Sequence, residues 1–85
     1  NALTTGSLIY YASHNNYDGF CDDASTQNIY NSIVSINKYC YHNAGQWVVC
    51  AALNEENSKA WCVDYSGVKE QINNSLCGSG LYSCP

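Results

Sequence analysis

The chain has 85 residues, a formal net charge of −4 and six cysteines. A chain of this length forms one domain, residues 1–85, because single cores split only beyond about 250 residues. Its three lysines and complete lack of arginine exclude the clustered basic surface that nucleic acids and anionic membranes require. We therefore expect no nucleic-acid partner and, since no run of about 18 apolar residues occurs, no direct membrane contact by this segment.

The cysteines dominate the expected stability of this chain. A core of this size contributes only about 3–5 kcal/mol, whereas each disulfide contributes on the order of 3 kcal/mol. No CxxC pair or zinc-type spacing occurs, so we predict three intramolecular disulfides and an extracellular or cell-surface location. The half-cystines are Cys21, Cys40, Cys50, Cys62, Cys77 and Cys84. Their pairing stays open, with Cys50–Cys62 and Cys40–Cys50 as competing cross-hairpin candidates.

Two helices are predicted in the first half of the chain. Leu8, Tyr11 and Ala12 lie at i, i+3 and i+4, which predicts a short amphipathic helix over residues 2–13 or 2–14. This segment has the character of the end of a longer helix. Asp23 is a good N-cap residue, and isoleucines 29, 33 and 36 follow at i, i+4 and i+7. They predict a second helix from residue 24 to residue 36 or 37.

Three antiparallel strands are predicted after the helices. Residues 38–42 and 46–53 flank the turn Asn43-Ala44-Gly45, and residues 59–64 follow a polar loop over residues 54–58. Ser66 and Gly67 then turn the chain again. The fold class is therefore α+β, with two helices packed on one face of a three-stranded, disulfide-stapled sheet. The Gly/Ser-rich tail, residues 78–85, is expected to be tied down by Cys84.

Candidates for catalysis are few. His14 and His42 are the only histidines, and neither belongs to a metal-binding spacing, so both are expected at the surface beside turns. Glu55 and Glu56 lie in a polar loop, where they are expected to be solvated. Asp64 lies at a strand end, where its carboxylate can accept backbone N–H groups. We therefore predict no catalytic site, no metal and no cofactor, and a protein that is not an enzyme.

One segment resembles a known family. The heptad WCVDYSG, residues 61–67, is similar to the WCVDSTG signature of type IV pilin-like proteins, particularly those of candidate-phyla bacteria. The motif residues are Trp61, Cys62, Val63, Asp64 and Gly67. Supporting similarities cover residues 8–11, which resemble the end of the pilin helix, and residues 17–21, which resemble the loop after it. Residues 47–53 resemble the family's central strand, and the terminal Cys-Pro resembles its ending. Tyr and Ser at positions 65 and 66 replace the usual Ser and Thr.

The resemblance implies a structural function. It implies the head domain of a type IV pilin or type II secretion pseudopilin, whose partners are other pilin subunits in a surface filament. Assembly would then use an apolar N-terminal helix that these 85 residues do not contain, and the isolated head is expected to be a monomer. An alternative is a free, secreted, disulfide-rich binding module such as an inhibitor, toxin or adhesin. In either case we expect Trp61 to be a buried anchor between sheet and helix.

Overall fold

Two helices precede an antiparallel sheet in the computed structural model of this chain, which describes residues 2–33, 35, 37–53, 58–78 and 80–85. The helices are α1, Ala2–His14, and α2, Ala24–Ser32, with a 3₁₀ turn at Phe20–Asp22 between them. The strands are β1, Lys38–His42; β2, Trp47–Ala52; β3, Lys59–Asp64; and β4, Lys69–Asn73. A second 3₁₀ turn, Asn74–Leu76, follows β4. Neither helix among the described residues has the length and hydropathy needed to cross a bilayer.

Three sequence-based predictions fall partly or wholly outside the described residues. They concern Ile36 at the end of the second helix, residues 54–57 of the polar loop predicted over residues 54–58, and the glutamates Glu55 and Glu56 within it.

The sheet has four strands in the order β1-β2-β3-β4, one more than the sequence predicted. The additional strand, β4, contains a single buried apolar residue, Ile72, which lies opposite Ala60 of β3. The side chains on either side of Ile72 are polar, and a strand at the edge of a sheet needs no second apolar position. The alternation of apolar and polar residues that predicts a strand is therefore too short to be recognised in this segment.

Helix α2 begins where the sequence predicted but ends earlier. The Asp23 carboxylate accepts the backbone N–H of Ser25 at 3.1 Å, which confirms the predicted N-cap. The helix ends at Ser32 because Ile33 is extended, with φ −75° and ψ 118°. The Lys38 ammonium donates to the carbonyl oxygens of Tyr30 and Ile33, at 2.9 and 3.3 Å, and so caps the helix end.

Both faces of the sheet are covered, by different parts of the chain. On the face toward the helices, here called the helix face, Leu3, Tyr10 and Phe20 pack against Trp47, Val49 and Val63. The opposite face, here called the tail face, carries the alternate residues of the same strands. It is covered by the C-terminal tail in a cluster formed by Val48, Cys50, Ala60, Cys62, Ile72, Cys77 and Leu81. The small domain thus has two thin cores, one on each side of the sheet.

Helix α1 buries a different side from the one that its apolar pattern indicates. The buried positions are Leu3, Ser7 and Tyr10, at i, i+4 and i+7, with exposed fractions of 9% or less. The predicted apolar side is exposed instead: Leu8 is 64% accessible and Tyr11 43%, and Ala12 is also exposed. The helix therefore presents an apolar stripe, Leu8, Tyr11 and Ala12, to solvent.

Candidate functional site

The segment that resembles the pilin signature joins β3 to the C-terminal tail. Cys62 and Asp64 are two residues apart in β3, so both side chains point to the tail face. Cys62 forms a disulfide with Cys84, and the carboxylate of Asp64 accepts the backbone N–H of Cys84 at 2.9 Å. The same carboxylate accepts the backbone N–H and the hydroxyl of Ser66, at 3.0 and 2.6 Å. As predicted, Asp64 accepts backbone N–H groups, and it is only 2% exposed.

The turn after Asp64 explains the glycine of the motif. Gly67 has φ +88°, in the left-handed region that residues with a Cβ adopt only with strain. Its N–H donates to the carbonyl oxygen of Asp64 at 3.1 Å, which closes the turn between β3 and β4. Ser66 and Gly67 therefore form the predicted turn, and Tyr65 projects from it with 43% of its surface accessible.

Trp61 is not the buried anchor that the sequence suggested. It lies on the helix face, between Ala51 of β2 and Gln71 of β4, and 42% of its surface is accessible. The buried tryptophan is Trp47, which has no accessible surface and whose ring centroid lies 4.8 Å from that of Phe20. The two tryptophans differ because Phe20 packs on Trp47 at the start of β2, whereas Trp61 borders an open pocket.

An apolar pocket of about 250 Å³ lies beside Trp61. Both helices and two central strands contribute to its walls, which are formed by Leu3, Ile29, Ile33, Val49, Ala51, Trp61 and Val63. None of the described residues that form the walls is charged, so they offer shape and apolar contact rather than acid–base chemistry.

All six cysteines form disulfides, as predicted, but both suggested pairings are wrong. The bonds are Cys21–Cys40, Cys50–Cys77 and Cys62–Cys84. Because side chains alternate along a strand, Cys40 points to the helix face, where it meets the loop that carries Cys21. Its supposed partner Cys50 points to the tail face instead.

Cys50 and Cys62 do lie directly opposite each other in neighbouring strands, as the hairpin suggested. Each is nevertheless bonded to a cysteine of the tail, which crosses over both strands. The tail is thus held at two points, Cys77 and Cys84, and the prediction that Cys84 ties down the C-terminus is confirmed.

The two histidines occupy different environments. His14 is exposed at the end of α1, where its Nδ1 lies 3.0 Å from the carbonyl oxygen of Tyr10 and its ring stacks on the Tyr10 ring. His42 is only 22% exposed, and its Nδ1 accepts the backbone N–H of Cys21 at 3.2 Å. Its Nε2 lies 3.9 Å from an oxygen of Asp18. The pair orients the loop before α2, and the described residues contain no group of three potential metal ligands.

Three carboxylates are concentrated in that loop. Asp18, Asp22 and Asp23, here called the acidic loop, lie around the hydroxyl of Tyr10, which donates to the carbonyl oxygen of Asp18. Burial raises the pKa of Tyr10 above its ordinary value, and the three negative charges raise it further. The acidic loop is therefore a local concentration of negative potential at one end of the molecule.

Comparison of the chain with protein-family models, with curated proteins and with solved structures finds no match.

Proposed function

We propose that this chain is the head domain of a structural subunit of a type IV pilus or a type II secretion pseudopilus. The observation that carries the proposal is the exposed apolar stripe of α1, formed by Leu8, Tyr11 and Ala12. A helix that packs only on its own domain turns its apolar side inward, whereas an apolar stripe left outside is typical of a contact between molecules. In a filament, this stripe would pack against the helices of neighbouring subunits.

The signature segment supports the same proposal. Cys62 and Asp64 both hold Cys84, and Gly67 closes the following turn, so each of these motif residues stabilises the head domain. Three disulfides are consistent with an oxidising, extracellular environment. Export and display on a filament are part of the proposal.

The coding sequence upstream of Asn1 is the first test. A pilin requires a basic leader that ends in glycine, followed by about 20 apolar residues, the length of a membrane-spanning helix, with an early glutamate. An ordinary cleaved signal peptide directly before these residues would contradict the proposal. It would favour the free, secreted binding module.

The second test is incorporation into filaments. The chain with its own upstream helix, or with a pilin leader and helix joined to it, is expressed in a bacterium that assembles pili. Sheared surface filaments are then probed with an antibody against the head. We expect the parent chain in the filaments and less of a Leu8→Ser/Tyr11→Ser variant. Tyr82→Ser, which alters a 54% exposed aromatic residue on the tail, is the matched control. Equal incorporation of all three would contradict the role of the α1 stripe.

A further inference from the structure

We infer that the helix face around Trp61 is a docking surface for the acidic loop of a second copy of this chain. The inference rests on the proposed filament function and adds a head-to-head contact that the α1 stripe does not supply.

The first observation is where the positive charges lie. The chain has three basic residues, Lys38, Lys59 and Lys69, and all three project from the helix face. Lys59 precedes Trp61 by two positions on β3, and Lys69 lies opposite Val63, the next residue on that face. Lys38 lies opposite Ala51, which in turn lies opposite Trp61. A chain with net charge −4 thus places every cation around one exposed tryptophan.

Two of the three lysines remain available to a partner. Lys38 is used within the domain, because its ammonium caps α2 and lies 4.6 Å from the centroid of the Tyr30 ring. Lys59 donates a hydrogen bond to the side-chain oxygen of Asn73 at 3.3 Å, and Lys69 is exposed. Within the part of the chain that the structure describes, no carboxylate forms an ion pair with any of them. Lys59, Trp61 and Lys69 are here called the basic strip.

The second observation is the apolar pocket at the edge of the basic strip. Trp61 forms one wall, and the pocket of about 250 Å³ opens between the two helices and the sheet. A surface that combines an exposed aromatic residue, an apolar pocket and flanking cations suits a partner with an apolar side chain beside carboxylates.

The chain itself carries such a partner surface. The acidic loop adjoins Ile9, which is 65% exposed, and both Ile9 and Asp23 line a second groove of about 180 Å³. Ile9 therefore lies beside the carboxylates of the acidic loop, just as the apolar pocket lies beside the lysines of the basic strip. This complementarity of charge identifies a second copy as the occupant.

The acidic loop lies beside the edge strand β1, whereas the basic strip lies on β3 and on the opposite edge strand, β4. Asp18 contacts His42, the last residue of β1, whereas the row that contains Trp61 begins at Lys38, the first residue of the same strand. The five residues of β1 span about 13 Å from its first residue to its last. Since the two surfaces differ, the contact is heterologous: each copy docks one neighbour and leaves its other surface free for the next. Repetition of this contact is what a filament requires.

The test uses the 85-residue chain alone, by sedimentation equilibrium at low ionic strength and concentrations up to about 1 mM, the scale of local concentration in an assembly. We expect the isolated head, a monomer in dilute solution, to self-associate weakly toward the upper end of this range, and high ionic strength should abolish the association. Lys69→Glu and Asp22→Lys should each raise the dissociation constant by about tenfold or more. Asp22 is chosen because it is exposed, whereas Asp23 caps α2. An equimolar mixture of these two variants should associate again, because the opposite charges are restored across the contact.

Glu70→Lys is the matched control for Asp22→Lys, since it makes the same change in net charge but on the tail face. It should leave the association unchanged. Trp61→Ala should weaken it as strongly as a charge reversal does. A parent chain that stays monomeric at low ionic strength, or variants that associate like the parent, would overturn the inference. In another outcome, dextran sulfate quenches Trp61 fluorescence in a chain that does not self-associate. That result would show that the basic strip binds an anionic polymer, and it would also overturn the inference.

The outcome is separable from that of the proposed function. Sedimentation requires neither the upstream helix nor pilus machinery, so a negative result removes only this contact. The chain could instead fail to enter filaments while the mixture of Lys69→Glu and Asp22→Lys still associates in solution. That result would contradict the pilin proposal but would support the contact between two copies.

Discussion

Asp64 accepts the backbone N–H of Cys84 at 2.9 Å, and Cys62, two residues earlier on the same strand, is disulfide-bonded to that same Cys84. One strand therefore holds the C-terminus twice, by a covalent bond and by a buried carboxylate. The Trp-Cys-Val-Asp spacing has a physical explanation here. Only residues at i and i+2 of a strand can reach one point on the same face.

Replacement of Asp64 by Asn should destabilise the domain. The carboxylate has two acceptor oxygens, whereas an amide has one oxygen and an NH₂ group that only donates. Either Ser66 or the N–H of Cys84 therefore loses its acceptor and faces the NH₂ group, which is another donor. Because the site is buried, we expect a loss of about 1–3 kcal/mol, which thermal unfolding would register as a fall in Tm of several degrees. Glu70→Gln, on a partly exposed neighbour in β4, is the control and should leave Tm nearly unchanged.

The same substitution tests whether the two attachments of Cys84 are coupled. In a Cys62→Ala/Cys84→Ala background the tail is released from β3, so Asp64→Asn should cost less than it does in the parent. Equal costs in both backgrounds would mean that the hydrogen bond and the disulfide stabilise the domain independently of each other.

Truncation of the two tryptophans should destabilise the domain to very different extents. Trp47→Ala removes a fully buried side chain and should cost roughly 3–5 kcal/mol. Trp61→Ala removes one that is 42% exposed and should cost about 1 kcal/mol or less. Urea unfolding measures both changes. Acrylamide quenching gives an independent check, because Trp61 fluorescence should be quenched readily and that of Trp47 should not. A large loss of stability in Trp61→Ala would contradict its exposure and would indicate that the Trp61 side chain packs in the core.

Gly19 should not tolerate a side chain. Its φ is +86°, and a Cβ at this position would lie 2.8 Å from the hydroxyl oxygen of Tyr10. Gly19→Ala combines backbone strain with this close contact, and we expect a loss of about 1–3 kcal/mol in thermal unfolding. Gly45→Ala is the matched control, since the nearest atom is 3.8 Å from its Cβ and its φ is not in the left-handed region. Equal stability of the two variants would contradict the close packing of the loop on Tyr10.

The stability of the domain should fall at alkaline pH. Burial, followed by the neighbouring hydroxyls of Tyr11 and Tyr65, raises the pKa of Tyr17 above its ordinary value of 10.0. The folded state therefore keeps the phenolic proton more tightly than the unfolded state does. The resulting stabilisation is complete below pH 10 and is lost as the pH rises through the folded-state pKa.

Urea unfolding from about pH 8 to about pH 11 measures this decline, and Tyr17→Phe should make it less steep. Trp61→Phe, which removes no titrating group, should leave the slope unchanged. A Tyr17→Phe slope that is equal to that of the parent would show that Tyr17 does not contribute to it.

The local pattern of the sequence was sufficient for most of the elements. The N-cap at Asp23, the turn at residues 43–45 and the bounds of β3 follow from capping, turn chemistry and apolar runs, which act over a few neighbouring residues. The participation of every cysteine in a disulfide was predictable as well, because a chain this small needs such bonds. The resemblance of residues 61–67 also lies in the sequence alone.

Only the tertiary structure decided which faces are covered. Leu8 and Leu3 are equally apolar, yet Leu8 is exposed and Leu3 buried, because the position of the sheet relative to α1 selects the side that packs. Trp61 and Trp47 differ for the same reason, since Phe20 packs on Trp47 whereas Trp61 borders an open pocket. The pairing of Cys50 and Cys62 with the tail depends on a segment that is distant in sequence and crosses their face of the sheet. Local periodicity sets the type of an element, whereas burial depends on what distant parts of the chain place upon it.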